Sequence, residues 1–255
     1  MQFTNNSKLF DEEKWMILPT IPSTNTFAKE LLSNSEPVLN GTVIMAVDQS
    51  SGRGQKNNVW ISEPGKNLTF TIILDTSFLP VNQQFALNQT ISLGILDFLQ
   101  IDHALPAELK WPNDLYIVEK KIGGILIENL ILGNRHKHSI IGIGLNINQM
   151  HFSSLASRPT SLALEKGKEF DLRQSLKCIL DRIEIRLNQL QSTESFFIQE
   201  DYQKNLFGLG QLRYFRHHDE IFQGTIRGVT LTGELRILSQ GIERIFNLQE
   251  LFFIF

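Results

Sequence analysis

The sequence predicts an α+β chain in two parts, on three observations. Apolar β-rich runs alternate with helix-patterned stretches up to about Asn205. From Leu206 onward that texture gives way to short β runs broken by glycines. With 255 residues and 42% hydrophobic content, the chain can bury one medium-sized core and a small appendage. The expected units are residues 1–205 and a small β-barrel over 206–255.

Each element carries its own signal. After an extended start, Ser23-Thr24-Asn25 offers helix-capping side chains ahead of an apolar stripe of Phe27, Ala28, Leu31 and Leu32. VIMAV at 43–47 and TFTIIL at 69–74 read as strands, and the polar DQSSGRGQKNNVWISEPGKN between them is long enough to suggest a functional loop. Apolar residues wrap most of the girth of a helix from Gln84 to about Gln100, which predicts deep packing. Strands are expected near 107–111, 115–118, 122–128 and 139–146. Asp171 and Gln174 have capping-box spacing ahead of an amphipathic stripe ending at Leu190, and a further helix is expected over Ser195 to Asn205. Glycines 224, 228, 233 and 241 fall at hairpin spacing in the barrel segment.

Composition narrows the function. A net charge of −3 and a pI near 6.1 argue against a surface that neutralises many phosphates, so no nucleic-acid partner is expected. The single cysteine, Cys178, excludes an intramolecular disulfide and a multi-cysteine metal site; it reads as helix packing in a reducing compartment, with the cytoplasm as the expected location. The N-terminal segment lacks the pattern of a signal peptide, and no stretch is long and uncharged enough to span a membrane. Neither Gly65-Lys66 nor Gly167-Lys168 continues as a Walker motif requires, and Ile147 stands where a dinucleotide fingerprint needs its third glycine. His217-His218 reads as surface.

Three loops hold the candidate chemistry. In Gly52-Arg53-Gly54-Gln55, flanking glycines allow close backbone approach, and Arg53 supplies a planar fork for a carboxylate or phosphate; the alternative is a solvated surface loop. Pro112-Asn113-Asp114 is a turn whose side chains can hydrogen-bond a base or meet a hydrated Mg²⁺, or it is a turn and nothing more. Lys121 stands at the head of the strand Ile122-Gly123-Gly124-Ile125, where it could stabilise charge developing between two anions, while Lys120 alternates to solvent. Gly142 to Asn148 keeps one strand face clear, for a ligand or for a close crossing in the core.

Taken in order, Ser23-Thr24-Asn25, Gln49 to Gly54 with Trp60, Lys110-Trp111-Pro112-Asn113-Asp114-Leu115, Lys121 to Leu126 with Glu128, Gly142 to Asn148, and Thr160-Ser161-Leu162 resemble the biotin protein ligase family over roughly residues 15–190. The resemblance implies a mixed β-sheet catalytic domain flanked by helices and followed by an SH3-like barrel. It also implies the reaction: biotin's carboxylate attacks the α-phosphate of ATP, with Mg²⁺, to give biotinyl-5′-AMP and pyrophosphate, and the adenylate acylates a lysine of a biotin carboxyl carrier protein domain of acetyl-CoA carboxylase or a related enzyme. By resemblance, Lys121 and Arg53 are catalytic. Ser23, Thr24, Asn25, Gln49, Gly52, Arg53, Lys121, Gly123 and Gly124 bind biotin; Arg53, Gly54, Gln55, Trp60, Asn113, Asp114, Lys121 and Asn146 bind ATP; and Asp114 is the candidate metal ligand.

Only about 20 residues precede Ser23, too few for the three packed helices of an N-terminal DNA-binding domain, so a short form is expected. A lipoate ligase or octanoyltransferase of the same fold, and a non-catalytic biotin-binding module, are the competing readings. The carrier is expected to dock on an exposed strand edge, and a monomer and a homodimer both remain open. In one respect the loop departs from the family pattern: Gln55 follows Gly54 where the family frequently has arginine. Weaker retention of the adenylate is therefore expected, so that Gln55→Arg reduces proximity labelling of a bystander protein; equal labelling by both forms would refute this.

Overall fold

The computed structural model describes residues 8–34, 37–55, 58–132, 135–152, 158–248 and 250–255. Seven strands, β1 (Trp15–Ile21), β2 (Thr42–Gln49), β3 (Leu68–Asp75), β4 (Ala107–Lys110), β5 (Asp114–Ile117), β6 (Lys120–Leu132) and β7 (Arg135–Leu145), form one mixed sheet in the order β1-β2-β3-β7-β6-β5-β4. The β1–β2 pair is parallel and the others are antiparallel. Among the described residues the α-helices are α1 (Thr24–Ser33), α2 (Gln84–Asp97), α3 (Leu162–Lys166), α4 (Leu172–Leu190) and α5 (Phe196–Lys204).

Strand alternation sorts the side chains into two cores. Val43, Met45, Leu68, Phe70, Ile72 and Leu74 join the large core with α2 and α4, while Ile44, Ile73 and Ile140 join a smaller one under Ala28 of α1. The central strands are buried on both faces, which is why they read as continuous apolar runs. Helix α1 covers only part of its face, and the uncovered part carries the site described below.

Several elements differ from the expectations in instructive ways. Ser23 occupies the N-cap position of α1 without a side-chain cap bond; instead Gln49 Oε1, at the end of β2, accepts from Thr24 N–H at 2.8 Å. Asp171 caps α4 through Gln174 N–H, but the Gln174 amide donates to Cys178 Sγ, so half of the capping box forms. Helix α2 continues beyond Asp97 as a π turn over Phe98–Asp102. The β6–β7 hairpin runs well past the apolar stretch, pairing as far as Leu132 with Arg135. Polar residues such as Glu128, Asn129 and Lys137 on its outer arms hide that extension from a hydrophobicity pattern.

The second part has five strands, β8 (Leu212–His217), β9 (Glu220–Val229), β10 (Leu235–Ser239), β11 (Ile242–Phe246) and β12 (Leu251–Ile254), in an antiparallel sheet of order β11-β10-β9-β8-β12, consistent with an SH3-like barrel. Phe215, Phe222, Phe246 and Phe253 pack ring to ring in its interior, with centroids 5.2–5.7 Å apart. It is joined to the larger sheet by polar bonds as well as packing. Trp111 Nε1–H donates to Gly233 O at 2.8 Å, and Gln203 both donates to and accepts from the backbone of Val229. No helix of the described residues is long and apolar enough to cross a membrane.

One charged cluster locks the helical layer. Arg186 of α4 forms a bidentate pair with Asp97 of α2 at 2.7 and 2.9 Å and reaches Asp201 of α5 at 2.7 Å. Its side chain is 15% exposed and that of Asp97 11%, and these hydrogen bonds raise the guanidinium pKa above its already high ordinary value. Arg186→Ala strands two acids in a mostly dry layer and should cost about 3 kcal/mol. The denaturant midpoint measures this, with Arg186→Lys recovering only part of the loss because the fork is gone.

Candidate active site

On the α1 face of the sheet lies a cavity of about 470 Å³, within the usual range for small-molecule sites. Its floor is built from two cross-strand pairs of β7 and β6, Gly142 with Leu126 and Gly144 with Gly124, which continue the rows of Thr71 and Thr69 on β3. The three glycines hold the site's own side chains. A Cβ on Gly142 would fall 2.3 Å from Asn25 Oδ1, and on Gly144 it would meet the Trp60 indole at 2.4 Å. On Gly124 it would press on the Asp114 carboxylate at 3.2 Å and the end of Lys121 at 3.5 Å. Side chains from a helix, a loop and two strands thus reach the sheet only because it is bare there.

The N-terminal end of α1 forms the polar wall. Thr24 Oγ1–H donates to Gln49 Oε1 (3.1 Å), and the Thr71 hydroxyl lies 2.7 Å from both Thr24 Oγ1 and Asn25 Oδ1. Because the Thr24 backbone N–H can only donate, Gln49 must present Oε1 to it. That assigns Nε2–H₂ as the donor side of the amide, beside Gly52 at the base of the glycine-rich loop. Ser23, buried and unused as a cap, sits on the same wall.

Among the described residues the wall carries three cations, Arg53, Lys110 and Lys121, and one carboxylate, Asp114. Lys121 Nζ lies 2.6 Å from Asp114 Oδ1. A β-bulge aims it there: Leu115 pairs with Gly123 but Tyr116 with Lys121, so Lys121 and Gly124, three positions apart, both reach the cavity. Lys120 turns outward to Glu165, as alternation predicts. Arg53 is held outside the cavity centre by Glu128, with Nη2 to Oε1 at 3.1 Å and Nη1 to Oε2 at 3.3 Å. Lys110 Nζ sits over the rings of Phe253 (4.6 Å), Tyr116 (5.2 Å) and Phe255 (5.8 Å), and burial pulls its pKa below the usual lysine value, with Asp114 opposing that shift and Lys121 adding to it.

The structure brings together Ser23, Thr24, Asn25, Gln49, Arg53, Gly54, Gln55, Trp60, Asn113, Asp114, Lys121 and Gly124 on this wall. It does not bring Gly52, Gly123 or Asn146 there. The bulge turns Gly123 to the core side, where a Cβ would strike Leu145 Cδ1 at 2.8 Å. Gly52 closes the base of the loop, its carbonyl accepting from Trp60 N–H at 3.0 Å and its Cα side pressed against the Trp60 carbonyl. Asn146 lies buried beyond the end of β7, donating to Thr160 O at 2.9 Å, and its Oδ1 finds no partner among the described residues. Asn113 lines the cavity, with its side-chain Nδ2 donating to Ile125 O and its backbone carbonyl accepting from Ile125 N–H. Lys56 and Asn57, which follow Gln55, lie outside the described residues.

The sequence pointed to no ligand role for Lys110 or Tyr116, nor for Leu251, Phe252, Phe253 and Phe255 from the second sheet, all of which line the wall, whereas the clear face expected at Gly142 and Gly144 does lie on it. The pairing of Lys110 with Asp114 across the β4–β5 turn was the one available signal for Lys110. Nothing in the sequence placed β12 over the cavity. Among the described residues no group of three His, Cys, Asp or Glu side chains could hold a metal ion, and Asp114 is the one carboxylate on the wall.

A mixed sheet whose cavity sets hydrogen-bonding side chains beside three cations suits a ligand that is both polar and anionic. The chain belongs to the Biotin/lipoate A/B protein ligase family, whose model matches residues 17–146. It is 28% identical over 231 residues to the bifunctional ligase/repressor BirA of Bacillus subtilis, covering 89% of this chain and 70% of the relative. To the biotin–[acetyl-CoA-carboxylase] ligase of Mycobacterium tuberculosis it is 29% identical over 140 residues, 53% of this chain and 51% of the relative. A biotin protein ligase from Aquifex aeolicus, solved in complex with biotin and ATP, superposes with a TM-score of 0.79 at 25% identity, covering 94% of this chain and 98% of that one.

Gly144→Ala tests the floor. The added Cβ should unseat the Trp60 indole, weakening ligand affinity about tenfold or more. The same change should red-shift Trp60 emission; unaltered affinity and emission would show that the seat is not needed.

Proposed function

We infer that the chain is an ATP-dependent biotin protein ligase: it activates biotin as biotinyl-5′-AMP, releases pyrophosphate, and transfers the biotinyl group to a lysine of a biotin carboxyl carrier protein domain, as in acetyl-CoA carboxylase, within the cytoplasm. The observation that carries this reading is one cavity whose lining combines hydrogen-bonding side chains, Ser23, Thr24 and Gln49, with three cations, Lys110, Lys121 and Arg53. A ureido ring satisfies the first. An octanoyl or lipoyl chain would make no hydrogen bonds with these side chains, which disfavours the lipoate reading.

Among the three cations, the reaction must hold a carboxylate beside a phosphate. Lys121, on its bulge, is placed to lie between them and to offset the charge that grows on the phosphoryl oxygens. Arg53 offers its fork to the same anions, and Trp60 and the β12 aromatics supply apolar walls that keep water from a labile mixed anhydride. Mg²⁺ bound with ATP would neutralise phosphate charge, with Asp114 as the protein carboxylate that meets it. Residues 1–205 form the catalytic unit in this reading and 206–255 an accessory unit that completes the wall. The carrier would dock at an exposed edge of the seven-stranded sheet.

Pyrophosphate release from ATP with biotin, lipoate or octanoate offered separately tests the reading: turnover is expected with biotin, at least about 1,000-fold lower with the others, and to require Mg²⁺. Turnover with lipoate would overturn it. Lys121→Ala should slow adenylate formation about 100-fold or more while biotin affinity shifts by about threefold or less, because the charge matters most when the anions converge. Equal losses in both would remove Lys121 from that role.

A further inference from the structure

Glu128 lies on β6 just beyond the cavity and is absent from its wall. Three donors nevertheless converge on its carboxylate. Lys29 Nζ reaches Oε1 at 2.8 Å, Asn25 Nδ2 reaches Oε2 at 3.0 Å, and Arg53 spans both oxygens at 3.1 and 3.3 Å. Asn25 and Lys29 stand one turn apart on α1, so one helix face and the glycine-rich loop share a single acid. The acid is 22% exposed while Arg53 is 43% exposed. Burial alone would push the Glu128 pKa up, but Lys29, Asn25 and Arg53 together hold it below the usual glutamate value.

The arrangement is lopsided in a useful way. The Arg53 contacts are the longest of the set and Lys29 makes the shortest, although the two cations are about equally exposed. If Arg53 departs, Glu128 keeps one cation and one amide donor and is not left as an uncompensated, largely buried charge. If Lys29 were missing, Arg53 would be the only cation on the acid.

We propose that Glu128 is a positioning residue that holds Arg53 at the cavity rim until the ligand's carboxylate or phosphate takes the guanidinium from it, with Lys29 retaining Glu128 after the exchange. This rests on the reading above, in which Arg53 contacts the ligand's anion. Glu128 then competes with the ligand for one fork, and Lys29 weakens the competitor. Two neighbours in one cluster should therefore act with opposite sign. Loss of the Glu128 charge strengthens anion binding; loss of Lys29 weakens it.

The test is calorimetric binding of biotin and of its neutral carboxamide to the wild type, Glu128→Gln, Lys29→Met, Arg53→Met, and each of the first two combined with Arg53→Met. Glu128→Gln keeps an acceptor for Asn25, which preserves the local packing. It should tighten biotin about threefold to fivefold, and Lys29→Met should loosen it by a similar factor, the scale of a partly exposed ion pair. The carboxamide should respond to neither. In the Arg53→Met background both effects on biotin should vanish, because there is no fork to contest. Effects that persist without Arg53 would reveal a general change in surface potential and overturn the proposal. Weakening of biotin and carboxamide alike by Glu128→Gln would reveal a structural role and overturn it as well. If the folded wild type binds neither compound, the functional reading falls and this proposal with it; if it binds both but Glu128→Gln leaves biotin affinity unchanged, only this proposal falls.

Discussion

The site depends on a patch of bare sheet. Gly124, Gly142 and Gly144 stand side by side on β6 and β7, where β-branched residues would ordinarily strengthen the strands, and each glycine there costs about 0.5–1 kcal/mol of strand stability. What the sheet gains is depth. Asn25 from a helix, Trp60 from a loop and the Lys121–Asp114 pair from the β5–β6 hairpin all settle into the volumes that three side chains would have filled. Their positions are then set against backbone, the stiffest part of the molecule, and a polar constellation drawn from distant parts of the chain acquires a fixed geometry.

The second sheet belongs to the same construction. Trp111 is buried at 2% exposure, and its indole N–H is bonded to Gly233 across the boundary. The adjoining Lys110 is packed under Phe253 and Phe255 of the second sheet. A lysine so deeply placed has lost much of its hydration, and ring faces at 4.6–5.8 Å return only part of it. Lys110 is accordingly the least satisfied cation of the wall, and an arriving anion regains more there than at an ion pair already made.

Much of this could be read from the chain, and the failures have physical causes. The strands at 43–47 and 69–74 were legible because both faces are buried, and Lys121 because a charge opening an apolar strand needs a reason. The bulge itself was not legible: both glycines were expected beside the ligand, but it sends Gly123 to the core and Gly124 to the cavity. The clear face of Gly142 and Gly144 was legible, but not that Asn25 and Trp60 occupy it, since those contacts join segments far apart in sequence. Asn146 stands apart from the wall: one residue past the end of β7, its amide donates to the Thr160 carbonyl, a contact that no local pattern shows. The outer arms of the β6–β7 hairpin were hidden because backbone pairing, not apolar patterning, extends them.

The charges of the wall share one logic. Lys121 rests on Asp114 and Arg53 rests on Glu128, so the two cations expected to meet the ligand are each paired with a carboxylate in this structure. Unpaired, they would repel one another across a partly dry cavity and weaken the fold. Paired, they leave little net attraction for a stray anion, since a lone carboxylate can displace only one partner and must outcompete it. A ligand that presents a carboxylate and a phosphate together replaces both carboxylates in one binding event, and the second exchange is intramolecular, with the advantage of effective concentration. The same two pairs that keep the empty cavity stable therefore favour the state in which two anions are held side by side, which is the state the reaction requires.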